Sequence, residues 1–390
     1  MAEAADEAAV VAASAAAAHP LTGAMQDLAP LLDAIGEAQF VLLGENTHGT
    51  KEFYELRSTI TRALIENKGF TVVLVEADWP ATSRLNRYIS NQGSMDQSVH
   101  DALADFEAFP RWMWRNNVIA QLAEDLRAHN CRRVGEAEMS EGIECGKWAC
   151  KRCTFQEDIA CFTCQLCGAP RMEGPSVNGH GAVSFYGMDL YSVHASARTV
   201  VEFLEIVDPD AAVRAQSHYA LLDSFGTSGL HQYGRQVAFG GELSHMADEI
   251  TNGLSSTLAD VQRGNREEYA TMLGPAELLD AEQSAQVVVN GEAYFRGLHE
   301  DGSVTSWNLR DQHMVATCMR LVEFHALHSA DAGAPKIVIW AHNSHCGDAS
   351  ATELGVRDEW NLGQMLRASY GADNVFICGF GASCTARCSA

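Results

Sequence analysis

The sequence predicts an α/β fold: a largely parallel sheet flanked by helices and interrupted by a small cysteine-rich insertion. Three observations lead there. Short apolar runs recur along the chain with little polar alternation, as in strands covered on both faces. Apolar residues at helical spacing lie between several of them, the signature of strand–helix–strand crossovers. Seven of the 12 cysteines of this 390-residue chain, Cys131, Cys145, Cys150, Cys153, Cys161, Cys164 and Cys167, crowd into one stretch.

Residues 1–20 are mostly alanine, with Glu3, Asp6 and Glu7 near the start. A signal peptide needs a basic n-region and transit peptides avoid acids, so this segment reads as a low-complexity tail. No run of about eighteen apolar residues follows that could span a bilayer. A cytoplasmic protein without a membrane partner is expected, with the nucleus left open. In such a reducing compartment the cysteines are not read as disulfides. Lys and Arg number 27 against 51 Asp and Glu, a net charge of −24 that repels polyphosphate and argues against a nucleic-acid partner.

The first strand is expected at Phe40–Gly44. Phe53, Leu56, Ile60 and Leu64 then repeat by three and four, with Thr50 as N-cap and Gly69 as C-terminal stop. Thr71–Val75 is the second strand, and Val118, Leu122 and Leu126 mark another helix. Val183–Gly187 is the third strand. Leu321, Phe324 and Leu327 mark a helix before strands at Lys336–Trp340 and Asn374–Cys378. The α/β domain is thus expected to be discontinuous, 21–133 and 181–390, with a module at 146–172 looped out between its halves.

That module has its own logic. Cys150 and Cys153 form one Cys-x-x-Cys pair and Cys164 and Cys167 another, ten residues apart. Two such knuckles supply four thiolates for one tetrahedral zinc, and so short a segment cannot bury a core without the metal. Cys145 and Cys161 fall off this spacing and read as free thiols. The pattern resembles the Ran-binding-protein type of zinc finger, with Trp148 before the first ligand and Thr154–Phe155 after the second. Glu157 stands where that type usually has Asn, which weakens an RNA-binding reading. In ubiquitin-binding members the contact is made by positions matching Thr154, Phe155 and Leu166, so the resemblance implies a ubiquitin or other protein partner there. Glycine-containing flanks, MSEGIECG and MEGPSVNGHG, suit linkers around an inserted module.

The chemistry is expected at the strand ends. Glu45, Glu76, Asp189 and His342 each follow one of the apolar runs, and the carboxyl ends of parallel strands form the rim where ligands bind. Glu45 and His48 are three apart in LGENTHGT, close enough for a carboxylate to hold a histidine's tautomer while its other nitrogen acts as a base. Arg57, two turns into the next helix, could lend charge to an oxyanion. His342 and His345 are three apart in WAHNSHCGD. Asp189, Arg310 and Asp311 either line the same pocket or brace it, and Trp79, Arg84 and Tyr88 are candidates for its wall. Ser344 lacks a Gly-x-Ser-x-Gly elbow, which disfavours a serine nucleophile. His218, His231, His245, His325 and His328 read as surface or packing residues.

LGENTHGTKEFYELR, VEADWPATSRLNRYI, SWNLRDQHM and WAHNSHCGDA, in that order, resemble the erythromycin esterase family over about 21–130 and 183–380. The resemblance implies hydrolysis of an ester or lactone by activated water, with His48 as general base. Glu45, Arg57, Glu76, His342 and His345 would orient the water and bind the carbonyl. It also implies a site that needs no metal. Two alternatives stand beside it: a zinc held by Glu45, His48, His342 and His345 at the same rim, and an inactive α/β scaffold displaying a protein-binding finger. The chain ends ten residues after Phe380, sooner than family members generally do, which favours the scaffold. The substrate is not named by the sequence; macrolide detoxification is an analogy.

Overall fold

The structure is a computed structural model. It describes residues 25–91, 94–107, 110–140, 181–223, 226–239, 247–263, 266–300, 303–328 and 333–381, some positions of the tail, and 147–149, 156–158 and 166 of the cysteine-rich stretch.

A short helix, α1 (Ala29–Ile35), leads into β1 (Phe40–Leu43), α2 (Lys51–Lys68), β2 (Val72–Asp78), α3 (Trp79–Ser90) and α4 (Asn117–Ser140). Two short strands, β3 (Lys147–Ala149) and β4 (Gln156–Asp158), precede β5 (Ser184–Asp189). Then come α5 (Val193–Val207), α6 (Pro209–Asp223), α7 (Gly226–Ala238), α8 (Ala247–Arg263), α9 (Arg266–Leu273), α10 (Pro275–Glu300) and α11 (Ser303–His328). The chain returns to the sheet through β6 (Ile337–Trp340), α12 (Asn343–Cys346), α13 (Leu362–Tyr370) and β7 (Val375–Cys378).

Five strands form one sheet in the order β5–β2–β6–β1–β7, every neighbouring pair parallel. Each expected strand is present, within a residue or two of its expected ends. The exception is β2, which runs three residues further and takes Glu76 into the strand itself. Because β1 and β6 are buried along their whole length, alternate residues feed two different cores. Val41, Leu43, Val73, Val75 and Trp340 pack with Ile60 and Leu64 of α2 and Leu122 and Leu126 of α4. Phe40, Leu42, Leu74 and Ile339 pack with Met314 and Leu321 of α11 and Leu366 of α13. This double burial is why the runs show no alternation.

A third core is helical. Val200, Leu204, Leu230, Tyr233, Leu254 and Val288 join α5 to α10 without touching the sheet. No single element of this block between Val193 and Glu300 was picked out from sequence. Thr50 does occupy the N-cap of α2, but its hydroxyl pairs with Thr47 at 2.8 Å instead of capping a backbone N–H. Gly69 closes the helix at φ 70°, donating to the Leu64 carbonyl. Leu327, expected on an apolar helix face, is 78% exposed.

The cysteine-rich stretch leaves and re-enters at a staple. Asn130, ten residues before the end of α4, donates to the Val183 carbonyl at 2.8 Å and accepts from the Val183 N–H at 2.8 Å. Within the stretch, β3 and β4 pair antiparallel, Ala149 opposite Gln156, and Cys150 and Cys153 fall between them in sequence. The four expected ligands Cys150, Cys153, Cys164 and Cys167, together with Cys145, Cys161, Thr154 and Phe155, lie outside the described residues, as does His245. Leu166 is described and is 65% exposed.

Candidate active site

The β1–α2 loop starts at Gly44, where a Cβ would run into the Asn343 side chain, so only glycine lets the two strand-end loops close on each other. Gly49, at φ +84°, lies under the Trp112 ring and sets the turn. Between them Glu45 is fully buried while His48 remains 36% exposed on its side chain. His48 Nδ1 donates to Glu45 Oε1 at 2.9 Å, and Arg57 Nη2 donates to the other oxygen, Oε2, at 3.2 Å. Among the described residues nothing hydrogen-bonds to His48 Nε2, which is left with a lone pair toward solvent. The Glu45 hydrogen bond, outweighing the cost of burial, raises the His48 pKa above its ordinary 6.5.

Arg57 corrects an expectation. It is fully buried, between the Tyr54 ring at 4.5 Å and the Trp340 ring at 4.7 Å, and cannot present its charge to a bound carbonyl. Its one charge-assisted hydrogen bond goes to Glu45, which it holds from below.

The cation that does reach the rim is Arg310, on α11, with 13% of its side chain exposed. Its Nη2 donates to Glu76 Oε1 at 2.7 Å and to Asp189 Oδ2 at 2.7 Å, its Nε donates to Asp189 Oδ1 at 3.1 Å, and its Nη1 meets His345 Nε2 at 3.0 Å. Glu76 also accepts the His342 backbone N–H at 2.8 Å. Burial would raise the Glu76 carboxyl, but His345, Arg310 and the His342 N–H outweigh it and hold it at about 2. Glu76 is therefore an anion at any working pH.

His345 is enclosed. Its Nδ1 donates to Asp311, 2.9 and 2.8 Å from the two oxygens, and Trp307 stacks on its ring at 4.7 Å. When neutral, its Nε2 accepts from Arg310; when protonated, that nitrogen faces Glu76 Oε1 at 3.5 Å. Burial works against the protonated form, yet Glu76 and Asp311 raise the His345 pKa. His342 lies over the loop, 5.3 Å between ring centroids from His48. Its Nδ1 accepts from the Ser344 backbone N–H at 3.2 Å and faces the Ser344 hydroxyl at 2.8 Å, while its Nε2–H points at the Asn46 carbonyl at 2.9 Å. Nε2 thus ties the β6–α12 loop to the β1–α2 loop, while Nδ1 is spent capping its own helix α12.

Glu45, His48, Glu76, Asp189, Arg310, His342 and His345 therefore meet at one rim, at the carboxyl ends of β1, β2, β5 and β6. Asp311 braces it from beneath, fully buried. Trp79, Arg84 and Tyr88 do not form its wall. Trp79 is buried and donates to Asp280 at 2.6 Å, Arg84 pairs with Asp96 and Asp105, and Tyr88 donates to Glu124. Asp78 was missed. It sits at the end of β2 beside Asp189, and burial together with that neighbouring charge pushes its carboxyl up to about 7. Its position two residues after Glu76 on a strand face was the available signal. The histidines read as packing residues behave so: His325 is buried edge-on to Tyr186, and His218 bonds Thr257 at 2.8 Å.

The three imidazoles do not pool their lone pairs, so the rim offers no convergent donor set. Among the described residues no group of three or more His, Cys, Asp or Glu is arranged to hold a metal ion.

With this geometry in view, the comparisons with known proteins are specific. The sequence profile of the erythromycin esterase family matches residues 65–140 and 171–386. The chain belongs to the erythromycin esterase family. The match is interrupted over 141–170, where the cysteine pairs lie, and it begins beyond Glu45, His48 and Arg57. Over 71 residues the chain is 41% identical to erythromycin esterase type II of Escherichia coli, a stretch spanning 18% of this chain and only 17% of that relative. A Bacillus cereus protein of known structure superposes with a TM-score of 0.61 at 18% identity, covering 92% of this chain and 69% of that one. A succinoglycan biosynthesis protein gives a TM-score of 0.57 at 19% identity, over 92% of this chain and 69% of that one. A mutant erythromycin esterase in its open conformation gives 0.56 at 15% identity, over 91% and 73%. The three structures share the erythromycin esterase fold with this chain. Among the described residues no helix is long and apolar enough to cross a membrane.

Proposed function

We propose that this chain hydrolyses a small-molecule carboxylic ester or lactone by direct attack of water, with His48 as the general base. One observation carries the reading: a histidine whose Nδ1–H is fixed on a buried carboxylate at 2.9 Å while, among the described residues, nothing partners its Nε2 at a polar rim. Nε2 takes a proton from water as the water oxygen attacks the carbonyl. Glu45 holds the tautomer and steadies the imidazolium, and Arg57 holds Glu45. Arg310, whose charge Glu76 and Asp189 already share, offers the tetrahedral oxyanion its remaining Nη1 N–H. The imidazolium then returns its proton to the leaving alkoxide, giving an acid and an alcohol. Family membership supports the ester class.

Replacing His48 with Asn should lower the rate on a responsive ester by about 10²–10⁴-fold while the thermal transition stays put. A variant as fast as the parent would end the reading. Ser344, whose hydroxyl faces His342, is the control. Ser344→Ala should keep turnover; its loss, with a trappable acyl-enzyme in the parent, would move the chemistry to a serine route.

The same reading places one structural zinc on Cys150, Cys153, Cys164 and Cys167. The antiparallel β3–β4 pair supports it, since the first cysteine pair lies between the two strands in sequence. The exposed Leu166 suits a finger that docks a protein, such as ubiquitin, through Thr154, Phe155 and Leu166.

A further inference from the structure

The end of β2 carries one residue more than its neighbour. Val75 pairs with Gly187 and Asp78 with Asp189, so three steps along β2 are matched by two along β5. In an unbroken ladder Ala77 would stand opposite Asp189; the bulge puts a second carboxyl there instead. Gly187 makes the room, since a Cβ at that position would strike the Ala77 carbonyl.

The Asp78 carboxyl is not used by the fold. Asp78 occupies the N-cap of α3, yet its side chain accepts no capping hydrogen bond. Among the described residues nothing hydrogen-bonds to this half-buried carboxyl. The charges acting on it are Asp189, from β5, and Arg310, from α11. That guanidinium is nearly spent: of its five N–H donors two hold Asp189, one holds Glu76 and one meets His345. Burial, and a neighbouring carboxylate whose cation is already shared, keep the proton on Asp78 up to about 7. The protonated carboxyl is then a donor at the rim with nothing in the protein to donate to.

We propose that Asp78, as the neutral acid, is a further catalytic residue that donates its O–H to the carbonyl oxygen of the ester, beside the remaining N–H of Arg310. The proton stays on Asp78; only its hydrogen bond strengthens as negative charge builds on the oxyanion. The proposal rests on the hydrolytic reading and adds a second condition to it. His48 must be neutral and Asp78 protonated in the same molecule. The rate therefore climbs as His48 loses its proton and falls as Asp78 loses its own, through about 7.

The test is the rate–pH profile of the full chain and its variants on a 4-nitrophenyl ester, whose leaving group needs no proton. Asp78→Ala should lose about 10²-fold at the parent's optimum while keeping its thermal transition. Asp78→Asn keeps an N–H donor and cannot ionise, so it should stay within about tenfold of the parent and lose the alkaline fall. If Asp78→Ala fails to fold, the Asp78→Asn profile decides alone. An alkaline fall that persists in Asp78→Asn, or an Asp78→Ala protein as fast as the parent, overturns the proposal. So does a loss in Asp78→Ala confined to alkyl esters, which would make Asp78 an acid for the leaving group. Failure of the hydrolytic reading shows separately, as an undiminished rate in His48→Asn. A parent that turns over no ester overturns both.

Discussion

At the scale of single residues, the rim is a set of carboxylates sorted by their partners. Glu45 holds an imidazole, Glu76 and Asp189 share one guanidinium, and Asp78 has no cation of its own. Two predictions follow from that sorting. His48 is active when neutral, so its raised pKa places the alkaline rise of the rate above 6.5. Glu45→Gln keeps an acceptor but removes the carboxylate charge that raises it. The variant's rate–pH profile should turn over at lower pH, with a lower plateau; an unmoved inflection would separate Glu45 from the titrating group. For Asp78 the folded pKa of about 7 exceeds the ordinary 3.8, so its contribution to stability is complete below 3.8 and is lost as pH rises through 7. Asp78→Asn should therefore melt progressively above the parent between those values, and by a constant margin at higher pH. Thermal midpoints across pH check this, and a gap independent of pH would show that Asp78 carries its charge throughout. The sequence exposed Glu45, His48, Glu76, His342 and His345 because each stands just past an apolar run or in its loop. It misplaced Arg57, because spacing along a helix tells how far a side chain is from a loop but not whether two aromatic rings enclose it. It left Arg310 open for the converse reason: the rim's cation comes from a helix whose distance in sequence from Glu76 and Asp189 is long.

At the scale of elements, legibility followed burial pattern. The five sheet strands were readable because burial on both faces leaves uniform apolar runs. Helices α5 to α10 were not, because in a helical block packed on itself the apolar positions spread around each helix and lose a single stripe. The β3–β4 pair belongs to neither class. Three-residue strands cannot hold themselves together, so their pairing requires another source of stability. If zinc is that source, chelation should release about one zinc per chain and expose the thiols of Cys150, Cys153, Cys164 and Cys167. The melting of the α/β domain should barely move, since residues on either side of that stretch build its three cores. A chelated chain that loses its main transition would make the module part of the domain's core.

At the scale of the whole molecule, the family profile and the hydrogen bonds mark nearly the same seam. The profile breaks at 140 and resumes at 171, and the Asn130–Val183 pair spans that break. Excising 134–180 and joining the ends with a short Gly-Ser linker should leave a folded domain, because loop-closure entropy changes slowly with length and the staple survives. Circular dichroism and the thermal transition read the outcome. A chain that no longer folds would show that the excised stretch contributes to the core.

The two bonds of Asn130 to Val183 have one more consequence. They join α4 at Asn130 to the residue before β5, beside a His129–Gly181 contact at 3.0 Å, so the chain between these points starts and ends on a closed clasp. Strand register on either side then does not depend on what hangs there. A pendant of another length or origin could be exchanged at this position by one recombination event without re-threading the sheet. Asn130 thereby becomes a grafting port, and a foreign hairpin or peptide ligand inserted between 134 and 180 is a direct way to give the domain a new partner.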